Sequence, residues 1–433
     1  MENKFILVYK NIFPNRKRII GKYVDIGVLY SEARLERTIK IEGNQALEAG
    51  VSAARIIASN NLAIANPNNQ RATYDSDQDY DNEEEDVNED SHASNGYNMA
   101  QGFRKFQRES HQVAKSQGLF INGNLQQLLA LDNILLLVKN QHSKEILLTM
   151  EDVNLTCYHE DMKQNFLDLN LTVDDEILLK LMKALTKVDT CTRKEIKCCI
   201  HKFYEFADDY DTKILNIFLN FIDKLPEEPI LNHQIKEIEL VTRFLDPIMS
   251  AVLADVEQNR VFSWTNTAST GTENERPDGE MATINQRSIA YHLGYCEVKV
   301  SEGDSSSVYL HYDMLRLARF GKKLCHNEDL RGSLLVMAVG FRVRFFILTR
   351  NKPFDTMFEI ANMELPKSLS TLASFTSNVH KIKQILQAYY THCTKEPEIS
   401  LKRKKESSMT KNDIQQVINT SKPKKMKASL SFK

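Results

Sequence analysis

Residues Tyr295 to Val300 read Tyr-Cys-Glu-Val-Lys-Val. In an extended strand, alternate side chains face the same way. Glu297 and Lys299 then share one face, and Cys296, Val298 and Val300 share the other. A carboxylate and an ammonium thus project together from an otherwise apolar strand. Burying two charges is costly unless they pair or bind an ion. Upstream, Arg276-Pro277-Asp278 puts a second carboxylate at the start of the preceding strand. If the two strands are neighbours, the three groups converge at one end. Two carboxylates can hold a hard divalent cation through oxygen, Mg²⁺ by default or Mn²⁺. Such a cation polarises a phosphoryl oxygen and activates a water for in-line attack. A lysine beside it orients that water and stabilises charge building on phosphorus. This is the chemistry of phosphodiester hydrolysis. The same three residues also fit a plain inter-strand salt bridge, and both readings stay open on the pattern alone.

An acidic-x-Lys triplet carries little weight by itself. The chain has five, beginning at Glu2, Asp161, Glu195, Asp211 and Glu297, so composition alone accounts for their number. Glu195-Ile196-Lys197 lies in a helical stretch, where its ends do not face one way. Of ten prolines, only Pro277 precedes an aspartate, and it stands just before the one triplet that sits in a strand.

The elements around these residues follow from the apolar periodicity. An amphipathic helix is expected from Ile235 to Val252, with Pro247 kinking or restarting it and Asp246 as a cap. Strands are expected at Arg260–Thr265, Gly279–Ile284 and Tyr291–Val300. Asp304 and Ser305 cap a helix over Val308–Cys325. Strands at Ser333–Val339 and Arg342–Arg350 follow, with a short one at Met357–Ala361. A last helix starts at Leu372 or Val379 and ends at His392. A helix crossing between strands favours an α/β class, a mixed sheet with helices on its faces.

The segment Glu239…Arg243-Phe-Leu-Asp-Pro-Ile…Trp264-Thr-Asn-Thr…Arg276-Pro-Asp…Gly294-Tyr-Cys-Glu-Val-Lys, then Asp313-Met-Leu-Arg-Leu-Ala-Arg-Phe-Gly-Lys, resembles the PD-(D/E)xK nuclease-like proteins that form large multigene families in early-diverging moulds. The likeness covers about 160 of the 433 residues, with a weaker likeness in the helical region before it. It implies a restriction-endonuclease-like fold, αβββαββ, behind a helical N-terminal region. It implies Asp278 and Glu297 as metal carboxylates and Lys299 as the catalytic lysine. Glu239 matches the acidic residue of the first helix, which helps bind metal, and the backbone carbonyl of Val298 completes the coordination. The sequence departs from the pattern at Gly279-Glu280, where an aliphatic residue usually follows the aspartate. Glu280 reads as an extra ligand or as a surface residue. Since such families include degenerate members, the likeness bears on fold more than on activity. The expected function is a metal-dependent phosphodiesterase acting on DNA or RNA. The alternative is a catalytically silent nuclease fold serving as a nuclear nucleic-acid- or protein-binding adaptor.

In the helix after the strand, Arg316, Arg319 and Lys323 are three and four apart, with Lys322 adjacent. They are expected either to meet phosphates near the metal or to form a solvated face. Tyr312, Leu315 and Ala318 fall at core spacing.

The rest of the chain divides by composition. Residues 1–70 are mixed and carry no functional signal. Residues 71–101 read as a disordered linker, in which Asp75–Asp90 holds ten acidic residues and no basic one. Residues 102–228 read as a helical bundle, with Leu125, Leu128, Leu131, Leu135 and Val138 on one helix face. Residues 229–395 hold the nuclease-like unit, and 396–433 a disordered basic tail. Lys402–Lys405 and Lys422–Lys427 in that tail read as nuclear import signals, a loose phosphate grip, or a solvated tail. The nucleus is the expected location, with the cytoplasm next. The net charge of −2 favours no partner class. Seven cysteines without a CxxC pair fit a reducing compartment. Cys191, Cys198, Cys199 and His201 lack the usual zinc-ligand spacing, and the three cysteines read as buried thiols on an apolar helix face. No apolar run approaches the ~20 residues of a membrane helix.

Overall fold

The computed structural model describes residues 93–94, 97–188, 190–231, 234–265, 275–300, 307–351, 353–395, 411–419 and 430–431. Residues 1–70, the acidic stretch Asp75–Asp90 and both basic clusters of the tail lie outside them.

The class is α/β: a seven-stranded mixed sheet flanked by helices. Its strands are β1 (Ile134–Leu137), β2 (Arg260–Trp264), β3 (Gly279–Asn285), β4 (Ser288–Lys299), β5 (Gly332–Val339), β6 (Arg342–Thr349) and β7 (Asp355–Glu364). Their spatial order is β1-β7-β6-β5-β4-β3-β2. The pairs β1/β7 and β4/β5 are parallel and the others antiparallel. A parallel pair needs a crossover, and helix Ser307–Asn327 supplies it between β4 and β5. Every residue of β5 is buried, as expected for a central strand covered on both faces. The register aligns Glu297 of β4 with Met337 of β5, and Met337 with Arg344 of β6.

Three expectations are corrected. The Leu125–Val138 repeat is not one helix: it divides into a helix at Leu125–Leu131 and strand β1, whose residues are all buried. A four-residue apolar run fits either element by periodicity, and here β7 offers it a parallel edge. Nor does the helical region stand apart. The described residues fall in one compact unit, and one apolar core runs from Met99 to Leu430. The tail, finally, is ordered where it is described. Lys411–Val417 is helical, Leu119 N–H donates to Val417 O at 2.8 Å, and Leu430 is buried. Arg344 donates to Ser431 O at 2.6 Å.

The helix expected around Pro247 is continuous. Glu237–Glu239 is α-helical, Leu240–Leu245 is a π segment, and Asp246–Leu253 is α-helical again. Proline cannot donate an i→i−4 bond, and the wider π turn absorbs that vacancy. Asp246 has helical dihedrals and is the first residue of the second α segment, whose N-cap position is Leu245. Its carboxylate instead accepts from Lys224, Ser250 and the Trp264 indole. No helix among the described residues is long and apolar enough to cross a membrane.

Candidate functional site

Asp278 stands one residue before β3, which pairs antiparallel with β4 in the register Gly279↔Cys296. Its backbone N–H donates to Cys296 O at 3.0 Å, and its own carbonyl accepts from Thr265 at 2.8 Å. Its Oδ2 accepts the Val298 N–H at 2.7 Å. The aspartate side chain is therefore locked onto the amide between Glu297 and Lys299. The neighbouring strands bring the three sequence-predicted residues to one end of the sheet. Gly279, the departure from the aliphatic pattern, has a steric reason: a Cβ there would lie 3.2 Å from both the Cys296 Cβ and the Phe262 ring. Phe262 supplies the apolar bulk that the glycine lacks.

Glu297 is fully buried. Its two oxygens are gripped by the fork of Arg316, Nε to Oε1 at 3.1 Å and Nη2 to Oε2 at 2.5 Å. Burial pushes the Glu297 carboxyl well above the usual range, and Arg316 opposes that shift. Lys299 pairs with Asp313 Oδ2 at 3.2 Å, and Arg316 Nη2 lies 3.2 Å from Asp313 Oδ1. Burial pulls the Lys299 ammonium down, but Asp313, Asp278 and Glu297 outweigh it and the net shift is upward. Burial raises the Asp313 carboxyl against the pull of Lys299 and Arg316. Glu237 is raised by burial and then by the charge of Asp278. Four carboxyls, Asp278, Glu297, Asp313 and Glu237, thus face two cations, Lys299 and Arg316.

The first-helix residue expected at the site was Glu239. It pairs with Arg243 at 2.8 Å, while Glu237, two positions earlier, is the carboxyl that senses Asp278, Lys299 and Asp313. Positions two apart on a helix point about 200° apart, so Glu237 and Glu239 lie on opposite sides of this turn. Glu280 pairs with His292 at 3.3 Å. Val298 meets the site through its amide N–H, and its side chain lies in the core.

The basic face expected on helix Ser307–Asn327 is corrected. Arg319 and Lys322 are 3% and 2% exposed, too buried to meet a phosphate. Lys322 donates to Asp132 O at 2.7 Å and lies 3.7 Å from both the Asp132 and Asp355 carboxylates. Arg319 lies 3.9 Å from Asp132. Arg316 is committed to Glu297 and Asp313, and Lys323 is half-buried. The helix is covered on more than one side, because α-helical residues from before β1 pack against it; spacing alone cannot reveal a second buried face.

Asp313 and Glu237 carried no assigned role in the sequence reading. A signal for Asp313 exists: it falls at helix spacing with the buried Leu310, Leu317 and Phe320, a charge in an apolar row.

Among the described residues no group of three or more His, Cys, Asp or Glu side chains is placed to hold an ion together, at Cys191–His201 or elsewhere. Magnesium keeps several waters and is commonly bound by only one or two carboxylates. The hard oxygen donors of Asp278 and Glu297, beside the carboxyls of Asp313 and Glu237, fit that demand once Glu297 is released by Arg316. Comparison with protein-family models, curated proteins and solved structures finds no match to this chain.

Proposed function

We infer that the chain is a metal-dependent phosphodiesterase of nuclease type, acting on DNA or RNA, on a restriction-endonuclease-like core. The observation that carries this reading is the Asp278 Oδ2 bond to the Val298 amide. It ties the Asp278 carboxyl to the strand segment that carries Glu297 and Lys299. The element order supports it too: helix, three antiparallel strands, a crossover helix and a parallel strand beside the Glu297 strand. In this reading Asp278 and Glu297 hold Mg²⁺ or Mn²⁺, with the Val298 carbonyl and Glu237 nearby. The bound ion supplies Lewis-acid polarisation of the phosphoryl group and an activated water. Lys299, about one third exposed at its side chain, orients the attacking water and neutralises charge on the phosphoryl oxygens. Asp313, at 3.2 Å, favours the charged form of that ammonium. The basic clusters of the tail then serve nuclear import or a salt-dependent grip on phosphate.

A second reading has one specific observation behind it. Arg316 occupies both oxygens of Glu297, as expected of a silent fold working as a binding adaptor. Incubating the purified protein with plasmid, single-stranded DNA and RNA separates the two. The enzyme reading expects cleavage with Mg²⁺ or Mn²⁺ that EDTA stops and that Asp278→Ala and Lys299→Ala abolish. Binding without cleavage, unchanged in both variants, would sink it.

A further inference from the structure

The geometry points to Arg316 as an internal competitor of the divalent ion: the guanidinium holds Glu297 in the metal-free protein and moves to Asp313 when an ion enters. This rests on the metal-site reading above. A planar guanidinium fork uses one lone pair on each carboxylate oxygen, and Arg316 makes both contacts on Glu297. A cation approaching the same edge at bonding distance needs those lone pairs. The two cannot share that edge.

The receiving group is already in place. Asp313 lies one helical turn before Arg316, with Oδ1 3.2 Å from the Nη2 that also bonds Glu297. A rotation of the guanidinium therefore exchanges one carboxylate partner for another, without stranding a buried charge. Asp313 currently also holds Lys299 at 3.2 Å. Once it leaves Glu297, Arg316 gives its whole fork to Asp313, which strengthens the existing pair and loosens Lys299, whose other facing groups are Asp278 and Glu297. Ion entry and release of the lysine towards the reacting group are thereby one event. Without the ion, Lys299 stays tied to Asp313.

The test is Mn²⁺ binding to the full-length protein, read from the electron paramagnetic resonance signal of free Mn²⁺ and from the shift in Tm. Ten acidic residues in Asp75–Asp90 attract divalent ions by charge alone, so the Glu297-dependent component, lost in Glu297→Gln, is the quantity compared. Arg316→Met is expected to bind about tenfold to a hundredfold tighter than the wild type, the worth of a charge-assisted pair removed from competition. Arg316→Lys, a charge without the fork, falls between them and serves if the methionine variant does not fold. Lys323→Met, a charge removed two turns along the same helix, changes affinity by less than about threefold through screened field effects alone. Glu297-dependent binding that is no tighter in Arg316→Met or Arg316→Lys than in the wild type overturns the competition and leaves the metal site standing. No Glu297-dependent binding in any variant overturns both.

Discussion

At the residue scale, the site is a balance between buried charges. Glu297 tolerates full burial because Arg316 answers both of its oxygens. Removing one partner of a buried pair leaves an uncompensated charge, which costs about 3–5 kcal/mol. In metal-free buffer, Arg316→Ala is expected to lose stability of that order in urea unfolding. Glu297→Gln in the Arg316→Ala background is expected to restore part of it, since no charge is then stranded. Strictly additive losses would show that the two side chains do not depend on each other. The sequence made Asp278, Glu297 and Lys299 legible because strand alternation is strict and Pro277-Asp278 is unique in the chain. It left Arg316 ambiguous. A row of arginines three or four apart looks the same whether it faces solvent or a buried carboxylate, and the partner is 19 residues away.

At the element scale, the site depends on β3, β4 and β5 lying side by side. Gly294 permits the parallel approach of β4 to β5: a Cβ there would lie 1.8 Å from Leu334 O. Gly294→Ala is expected to force these strands apart and cost about 2–4 kcal/mol, on the scale of a severe overpacking or strain effect. Equilibrium denaturation checks this, and a wild-type midpoint would refute the close approach. The other triplets of the acidic-x-Lys pattern show why element type decides. Glu195 closes a capping box with Thr192 at a helix start, and Lys197 turns to Asp223. Asp211 pairs with Lys383, and Lys213 pairs with Asp255. On a helix the two ends of the triplet serve different neighbours; on β4 they serve one site. The strands and helices from Arg260 to His392 were legible to within a few residues, since their apolar runs are long and bounded by turns. Strand β1 was not, because its sheet partner β7 lies more than 200 residues further on.

At the scale of the whole molecule, the helices before β2 close the far side of the sheet. His159, on helix Asp152–Phe166, bonds Glu359 O of β7 at 2.8 Å. Burial lowers its imidazole from the ordinary 6.5 to about 4, with the Glu359 carbonyl opposing. Its folded value lies below its unfolded one, so neutral His159 is favoured by folding. The stability that this provides is present above about pH 6.5 and is lost as pH falls through about 4. The loss approaches about 3 kcal/mol at full protonation. Glu359 and Glu297 are raised instead, so they oppose this trend. Comparing unfolding free energies of the wild type and His159→Phe across pH 7 to 4 isolates the histidine: the variant is expected to lose less, and equal slopes would contradict its buried neutral state. The buried group of Asp132, Lys322 and Asp355 joins the end of helix Leu125–Leu131 to the crossover helix and to β7. Residues read as a phosphate-binding surface thus act as an internal clasp between the helical region and the sheet. The proposed phosphodiesterase activity is tested by single-turnover cleavage of DNA and RNA in Mg²⁺ by the wild type and by Glu297→Gln of verified fold. The expected result is a wild-type rate that EDTA abolishes and that the variant lowers by at least about a hundredfold. Equal rates in the two proteins, or no cleavage of either substrate by the wild type, would contradict it.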